Sequence, residues 1–370
     1  MRLARGAYAN SPAGRDVIRA LKGLLFLAGA ALLLGSEVWS PTAPPAPLVG
    51  FSYSPLMLYG AQRDPGQDLQ ILLDATNPDL VRLPVYWESV EPAPGTLDFS
   101  SVDELLAVIE SHNQIAARPT RVVLTVGARN FLYPELHAPL WAGPRQQPYL
   151  NDAQSGIGYR AYFEGTIMRY RSSPLLYAWQ VENEPFDYVV NDLTGADQIT
   201  PEQVAWEIAT THRLDQAHEV ATTTFDAWNA SLDLLQQYAP LTLAALGVST
   251  SGHPGQALAA ADALGLDIYL DTPSTPVRFT SLELRASWKQ QAVHFWAGEA
   301  KAQGKNLWLA EMQAQPWGTT SSFTTADLIS TAANYRQEPL QVALLWGVDT
   351  WLQDPAWMAA ASQAMAILRS

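Results

Sequence analysis

The strongest constraint in this chain is a rhythm. From Leu48 onward a short run of β-forming residues gives way to a helical pattern, and the alternation occurs eight times. The runs are Leu48–Tyr53, Leu80–Val85, Arg121–Gly127, Leu176–Val181, Glu219–Phe225, Leu266–Leu270, Asn306–Ala310 and Gln341–Trp346. Several are apolar almost throughout. A strand with one wet face would alternate, so these strands are expected to be covered on both faces, as in a parallel sheet wrapped by helices. The helix ends are readable as well. Thr200-Pro201 and Asp354-Pro355 each set a capping side chain before proline at the first helical position. Ser101-Val102-Asp103-Glu104 reads as a capping box opening a helix toward His112. Gly304 closes a helix over Ser287–Gln303.

Eight strand–helix units over residues 48–370 predict a single α/β domain, a (β/α)₈ TIM barrel. The competing architecture is a doubly wound open sheet, which holds phosphates on a Gly-rich turn after its first strand. That turn here is Tyr53-Ser54-Pro55-Leu56-Met57, which lacks the glycines. No internal repeat or second domain boundary stands out.

The chain begins differently. Arg2, Arg5, Arg15, Arg19 and Lys22 precede the apolar run Gly23–Gly35. A basic stretch before a short apolar one is the pattern of a secretion signal. If Arg19 and Lys22 snorkel, Val17–Trp39 is nearly long enough to cross a bilayer. Residues 1–39 are therefore expected to be a signal peptide or a membrane anchor, with no clean small-x-small cleavage site following. Residues 40–47, with prolines at 41, 44, 45 and 47, read as an extended linker. This arrangement places the barrel outside the cytoplasm, secreted or anchored, and touching a membrane through its N-terminal segment only.

Composition removes several function classes. There is no cysteine, so disulfides, thiolate metal sites and cysteine nucleophiles are out. The six histidines show no HExxH or other close ligand spacing, and neither a metal nor a cofactor is expected. A formal net charge of −14 with no basic stripe to offset it argues against a nucleic-acid partner.

In a barrel of this kind the chemistry sits at the C-terminal strand ends. The second strand carries Arg82, then Trp87. The fourth runs into Trp179-Gln180-Val181-Glu182-Asn183-Glu184-Pro185. The sixth ends in Asp267-Ile268-Tyr269, the seventh in Ala310-Glu311 with Pro316-Trp317 beyond, and the eighth in Trp346. Carboxylates on strands four and seven would face each other across the barrel mouth. Paired carboxylates ringed by aromatics are what glycoside hydrolysis requires: one stays protonated for the leaving oxygen, the other attacks or supports the anomeric carbon. Flat aromatic faces stack on the C–H faces of sugars, and 13 Trp residues are a generous supply.

These segments resemble a known group. Val81-Arg82-Leu83-Pro84-Val85-Tyr86-Trp87 through Glu91-Pro92 looks like the second-strand region of clan A glycoside hydrolases, which include the cellulase-like family 5 and the β-galactosidases of families 35 and 42. WQVENEP (179–185) is similar to their fourth-strand motif, and LWLAEMQAQPW (307–317) to their nucleophile region. The resemblance implies Glu184 as general acid/base and Glu311 as nucleophile. It implies Asn183 on the sugar 2-hydroxyl, Arg82 hydrogen-bonded to Glu311, Tyr269 near the nucleophile and Trp346 flooring the sugar site. The chain departs from the cellulase pattern at Gly127 and Asp267, where histidines are usual.

The remaining candidates carry two readings each. Glu182 shares strand parity with Glu184 and is expected to be a structural partner. Trp87, Trp141, Trp317 and Trp351 follow strands and are candidate sugar contacts or core residues. Trp206, Trp288, Trp296 and Trp357 lie in helical patterns and are expected to be core. His137 either contacts substrate or pins the loop after strand three. The expected function is a retaining β-glycosidase acting on a β-linked oligosaccharide or polysaccharide. A carbohydrate-binding pseudoenzyme and a transglycosidase are the alternatives on the same barrel.

Overall fold

The computed structural model describes residues 44–57, 63–132, 135–143, 149–151, 155–186, 199–225, 252–272 and 280–370. The N-terminal apolar segment, and with it the signal or anchor reading, lies outside the described residues. Among those described, no helix is long and apolar enough to cross a membrane.

Eight parallel strands close into a barrel in sequence order: β1 (Leu48–Ser52), β2 (Leu80–Tyr86), β3 (Arg121–Gly127), β4 (Leu176–Val181), β5 (Glu219–Phe225), β6 (Ala263–Ile268), β7 (Asn306–Gln313) and β8 (Val342–Trp346). β1 pairs with both β2 and β8, which removes every open edge. The outer ring is α1 (Pro65–Thr76), α2 (Ser100–Asn113), α3 (Ser155–Tyr170), α4 (Pro201–Leu214), α5 (Pro254–Ala260), α6 (Leu282–Ala302), α7 (Thr325–Tyr335) and α8 (Pro355–Arg369). The last helix is tied to the start of β2's approach, where Arg369 Nε meets Asp79 Oδ2 at 2.8 Å and its Nη2 donates to Asn77 O at 3.0 Å.

The strand calculus of period two explains what fills the barrel. Leu80, Val123, Ala178, Ala221, Ala263, Trp308, Val342 and Leu344 form their own apolar cluster inside it. Two residues further along β2, β3, β4 and β5 come Arg82, Thr125, Gln180 and Thr223, all fully buried. The interior therefore turns from apolar to polar as the strands rise toward their C-terminal ends.

Local details differ from the sequence reading where a side chain captures backbone first. Asp98 Oδ1 accepts the Ser100 N–H at 2.9 Å, so α2 starts at Ser100 without the capping box expected at Ser101. Ser281, not a residue near 287, caps α6 and starts it five residues early. Thr324 and Asp327 form a reciprocal capping box on α7. β6 begins at Ala263 rather than Leu266 and stops at Ile268, because the N–H groups of Leu270 and Asp271 turn to Gln313 Oε1 at 2.8 and 3.0 Å. Thr200 and Asp354 cap α4 and α8 as their sequence pattern predicts. Residues 44–47 do not leave as a free stalk: Pro44 O accepts from Arg336 Nη1 at 3.0 Å.

Between the barrel and α3 lies an aromatic stack. Trp87 packs edge-on against Trp141, Tyr149 and Tyr159 at 5.6, 5.2 and 4.9 Å and face-on against Tyr162 at 6.0 Å. Its Nε1 donates to Glu91 Oε2 at 2.9 Å. Such an enclosed indole holds β2 to the helical layer. Trp87→Ala should lower the unfolding free energy by about 3–5 kcal/mol, measured by urea denaturation at fixed pH. A change under 1 kcal/mol would show that the stack does not carry this layer.

Candidate active site

β4 leaves the sheet at Val181, and its next residues do unusual things. Glu182 and Glu184 have φ of 57° and 47°, the left-handed region that bulky residues avoid at a cost of roughly 1–3 kcal/mol each. Surrounding groups hold them there. Glu184 N donates to Thr223 Oγ1 at 2.9 Å, and Glu184 O accepts from Arg129 Nη1 at 2.9 Å. Gln180 Nε2 bonds Glu182 O at 3.0 Å and Asn183 Oδ1 at 3.1 Å. The Thr223 hydroxyl donates to the same Asn183 oxygen at 3.1 Å. With its oxygen so engaged, Asn183 keeps its NH₂ as the end left to donate. Successive left-handed turns send Glu182 behind the barrel wall and Glu184 into the mouth.

Glu311 comes from β7 to meet it. One oxygen each of Glu184, Asp267 and Glu311 lies within 4.8 Å of the others. Arg82 Nη2 pairs with Glu311 Oε1, and the Tyr269 hydroxyl donates to Oε2. Arg82 is itself fixed by Gln180 Oε1 at 3.1 Å and by the face of Phe131, 4.1 Å from its guanidinium carbon. Trp346 lies edge-to-face with Phe131 at 5.8 Å, and half-buried Trp317 sits edge-on to Tyr269 at 5.5 Å. Seven of the nine residues singled out in the sequence are thus gathered at one mouth: Arg82, Asn183, Glu184, Tyr269, Glu311, Trp317 and Trp346.

The other two lie elsewhere. Trp87, read as a candidate sugar contact, is sealed in the aromatic stack against α3 and has no face for a sugar. His137 is buried, with Nδ1 2.8 Å from Glu88 Oε1 and Nε2 3.1 Å from Leu132 O, under the Tyr86 ring at 4.0 Å. Of its two readings, this is the loop pin. Trp351 is likewise internal, donating to Ala314 O at 2.8 Å. Sequence reasoning missed Gln180, Thr223, Phe131 and Arg129. The first two were findable from the inward parity of their strands. Phe131 and Arg129 lie past β3 in an irregular turn, where no periodicity applies. Asp267 was seen only as a departure from the cellulase pattern, yet it is one of the three clustered carboxylates.

The electrostatics divide the carboxylates. Glu184 is pushed up to about 7, first by burial and then by the charge of Glu311, with Arg129, a hydrogen bond with Asp267 and Arg82 acting against this. The Tyr269 hydroxyl is held far above its ordinary range by burial and by Glu311. The three carboxylates are the one grouping among the described residues with metal-ligand spacing. Their donor set does not suit a cation, because both Glu311 oxygens already take hydrogen bonds and Arg82 supplies the counter-charge.

No protein-family model matches this chain, and no curated protein matches it by sequence. Solved structures do. A GH5_18 protein from Bifidobacterium longum subsp. infantis is 14% identical, with a TM-score of 0.63 over 88% of this chain and 79% of that one. A GH5_18 protein from Streptomyces cattleya, in complex with GlcNAc, is 15% identical, with a TM-score of 0.59 over 89% and 82%. Xylanase 10B from Thermotoga petrophila RKU-1, in complex with xylobiose, is 11% identical, with a TM-score of 0.52 over 81% of each. At these identities the shared property is the barrel fold.

A carboxyl raised to about 7 by burial leaves a signature in stability. The protonated form is the one the fold favours, so the contribution is complete below about pH 4.5 and is lost as pH rises through 7. Glu184→Gln removes the ionisation. Its stability relative to the unsubstituted chain should rise between pH 5 and pH 8 by up to about 3 kcal/mol, read from thermal unfolding at both pH values. A pH-independent difference would mean Glu184 is not held protonated by its surroundings.

Proposed function

We propose that this chain is a retaining β-glycosidase, with Glu311 as nucleophile and Glu184 as general acid/base. The observation that carries the reading is the asymmetric carboxylate pair at the barrel mouth. One oxygen of each lies within 4.8 Å of the other, an approach that suits direct attack by one carboxylate on the anomeric carbon better than the wider spacing, roughly 6.5–9.5 Å, at which inverting enzymes place a water.

The roles follow from the surroundings. Glu311, bonded by Arg82 and Tyr269, is oriented to attack the anomeric carbon as the glycosidic C–O bond breaks. Glu184, pushed up to about 7, arrives protonated and gives its proton to the departing oxygen. A water then displaces the glycosyl group from Glu311, returning its proton to Glu184. Asn183, with its NH₂ free to donate, is suited to a ring hydroxyl beside the reacting carbon. Trp346 and Trp317 offer aromatic surface on two sides. Barrels of the same fold that hold GlcNAc or xylobiose support a β-linked glycan as the substrate class. The basic and apolar N-terminal stretch supports action outside the cytoplasm.

Purified protein is to be tested on a panel of nitrophenyl β-glycosides and β-linked oligosaccharides. The first-formed product should keep the β configuration by NMR. Activity should be bell-shaped in pH, with an alkaline limb near 7 that reports mainly Glu184, since coupled carboxyls share apparent values. Glu311→Ala should abolish turnover of every substrate. Glu184→Ala should retain glycosylation from activated leaving groups and yield a β-glycosyl azide when azide is added. An inverted product would overturn the retaining assignment.

A further inference from the structure

We propose that Glu182 is a positioning residue whose carboxylate clamps the end of β3 and thereby holds the Arg129 guanidinium against Glu184. The proposal rests on Glu184 being the acid/base. Its structural core is independent of turnover.

The clamp is built from both chain segments. Glu182, with φ of 57°, turns its side chain away from the mouth to a fully buried position behind β3. Oε1 accepts the Ala128 N–H at 2.9 Å, and Oε2 accepts the Arg129 N–H at 2.6 Å. The strand is shaped for it. Gly127 has φ of 143°, and a Cβ there would fall onto the Glu182 carboxyl group. No other residue type leaves the carboxylate room.

Arg129 is the part of the clamp that reaches the site. It is fully buried, its Nη1 donates to Glu184 O at 2.9 Å, and its Nη2 lies 3.8 Å from Glu184 Oε2 while also pairing with Glu135. Glu184 is faced by Glu311 from β7, Asp267 from β6 and Arg82 from β2 as well. Of these, Arg129 is the cation that the Glu182 clamp fixes. Behind the clamp, the Tyr159 hydroxyl of α3 stands 3.1 Å from Glu182 Oε1 and also bonds Glu207 of α4. Gln203 Nε2 supports Glu207 at 2.9 Å. Two buried carboxyls about one hydroxyl hold a proton between them. Glu182 has a backbone donor on each oxygen, so Glu207 is the protonated member and burial beside Glu182 keeps it so.

A glutamine at 182 has one carbonyl oxygen for two N–H groups, and its NH₂ meets the other head-on. The β3 end then shifts and Arg129 withdraws from Glu184. Losing a nearby cation makes a carboxyl harder to ionise. In the full chain, Glu184 is to be titrated by NMR of ¹³Cδ-labelled glutamate, its resonance identified by its loss in Glu184→Gln. In Glu182→Gln it should titrate about one pH unit higher. Arg129→Gln should give the same shift, and the double variant no further one. Glu207→Gln preserves both N–H bonds and should leave Glu184 titrating where it did. Where the protein turns over substrate, the alkaline limb should move with the titration. If Glu182→Gln does not fold by circular dichroism, Glu182→Asp, too short to reach both N–H groups, takes its place. A folded position-182 variant with unmoved Glu184 titration overturns the proposal, and so does an equal shift in Glu207→Gln. Because the titration needs no activity, either result stands apart from the glycosidase reading.

Discussion

The organisation of the barrel mouth depends on one buried guanidinium. Arg82 points into the barrel with no solvent exposure, and an uncompensated charge there would cost several kcal/mol. Compensation requires partners from distant parts of the chain: Glu311 from β7, Gln180 from β4, and the faces of Phe131 and, at 5.9 Å, Trp346. None of these is near Arg82 in sequence. They meet because barrel closure brings the upper layer of every strand to a common axis. The same contacts then reach outward. Gln180, held by Arg82, uses its NH₂ on Glu182 O and Asn183 Oδ1, which helps keep the strand-four turn in its strained form.

That turn is where fold and chemistry are hardest to separate. A regular strand alternates its side chains, so Glu182 and Glu184 on an extended β4 would both point inward, adding a further carboxylate to the cluster. Two left-handed residues break the alternation. Glu182 passes behind the wall and satisfies backbone N–H groups of the β3 end, while Glu184 stays in the mouth. Local strain of a few kcal/mol is thereby exchanged for the removal of a like charge from a dry site, where repulsion would be larger.

How far all this was legible in the sequence depended on the kind of signal. Most strand positions were clear because runs such as 80–85 are apolar almost throughout, which marks a strand covered on both faces, and every residue of β2 is indeed buried. Glu311, Arg82 and Tyr269 were legible as strand-end residues. Trp87 was not, since a tryptophan after a strand can turn toward the mouth or toward the helical layer, and only Trp141 and Tyr149 of the preceding loop with Tyr159 and Tyr162 of α3, at 4.9–6.0 Å, decide it. His137 left the same choice open until its two ring nitrogens were seen against Glu88 and Leu132. Arg129 carried no signal at all. It lies in a turn whose shape is set by Glu182, a residue more than fifty positions away.

The apolar lower half of the barrel is what makes the upper half affordable to the fold. Carboxyls raised to about 7 mean that Glu182 and Glu184 resist ionisation in the native state, a standing penalty at neutral pH. The penalty is physically offset below, where Leu80, Val123, Trp308, Val342 and Leu344 pack with small alanines from β4, β5 and β6 in a layer without solvent. Each buried aliphatic side chain there contributes about 1.5–3 kcal/mol. Moving polar groups into that layer would remove the support and add further desolvation. Moving apolar groups into the upper layer would strand Arg82. Division of the interior by height, with packing at the N-terminal ends and charge at the C-terminal ends, is therefore a condition for having a dry carboxylate cluster in a folded barrel. It also explains why the strained Glu182 and Glu184 and the clustered carboxylates lie at the C-terminal ends of the strands.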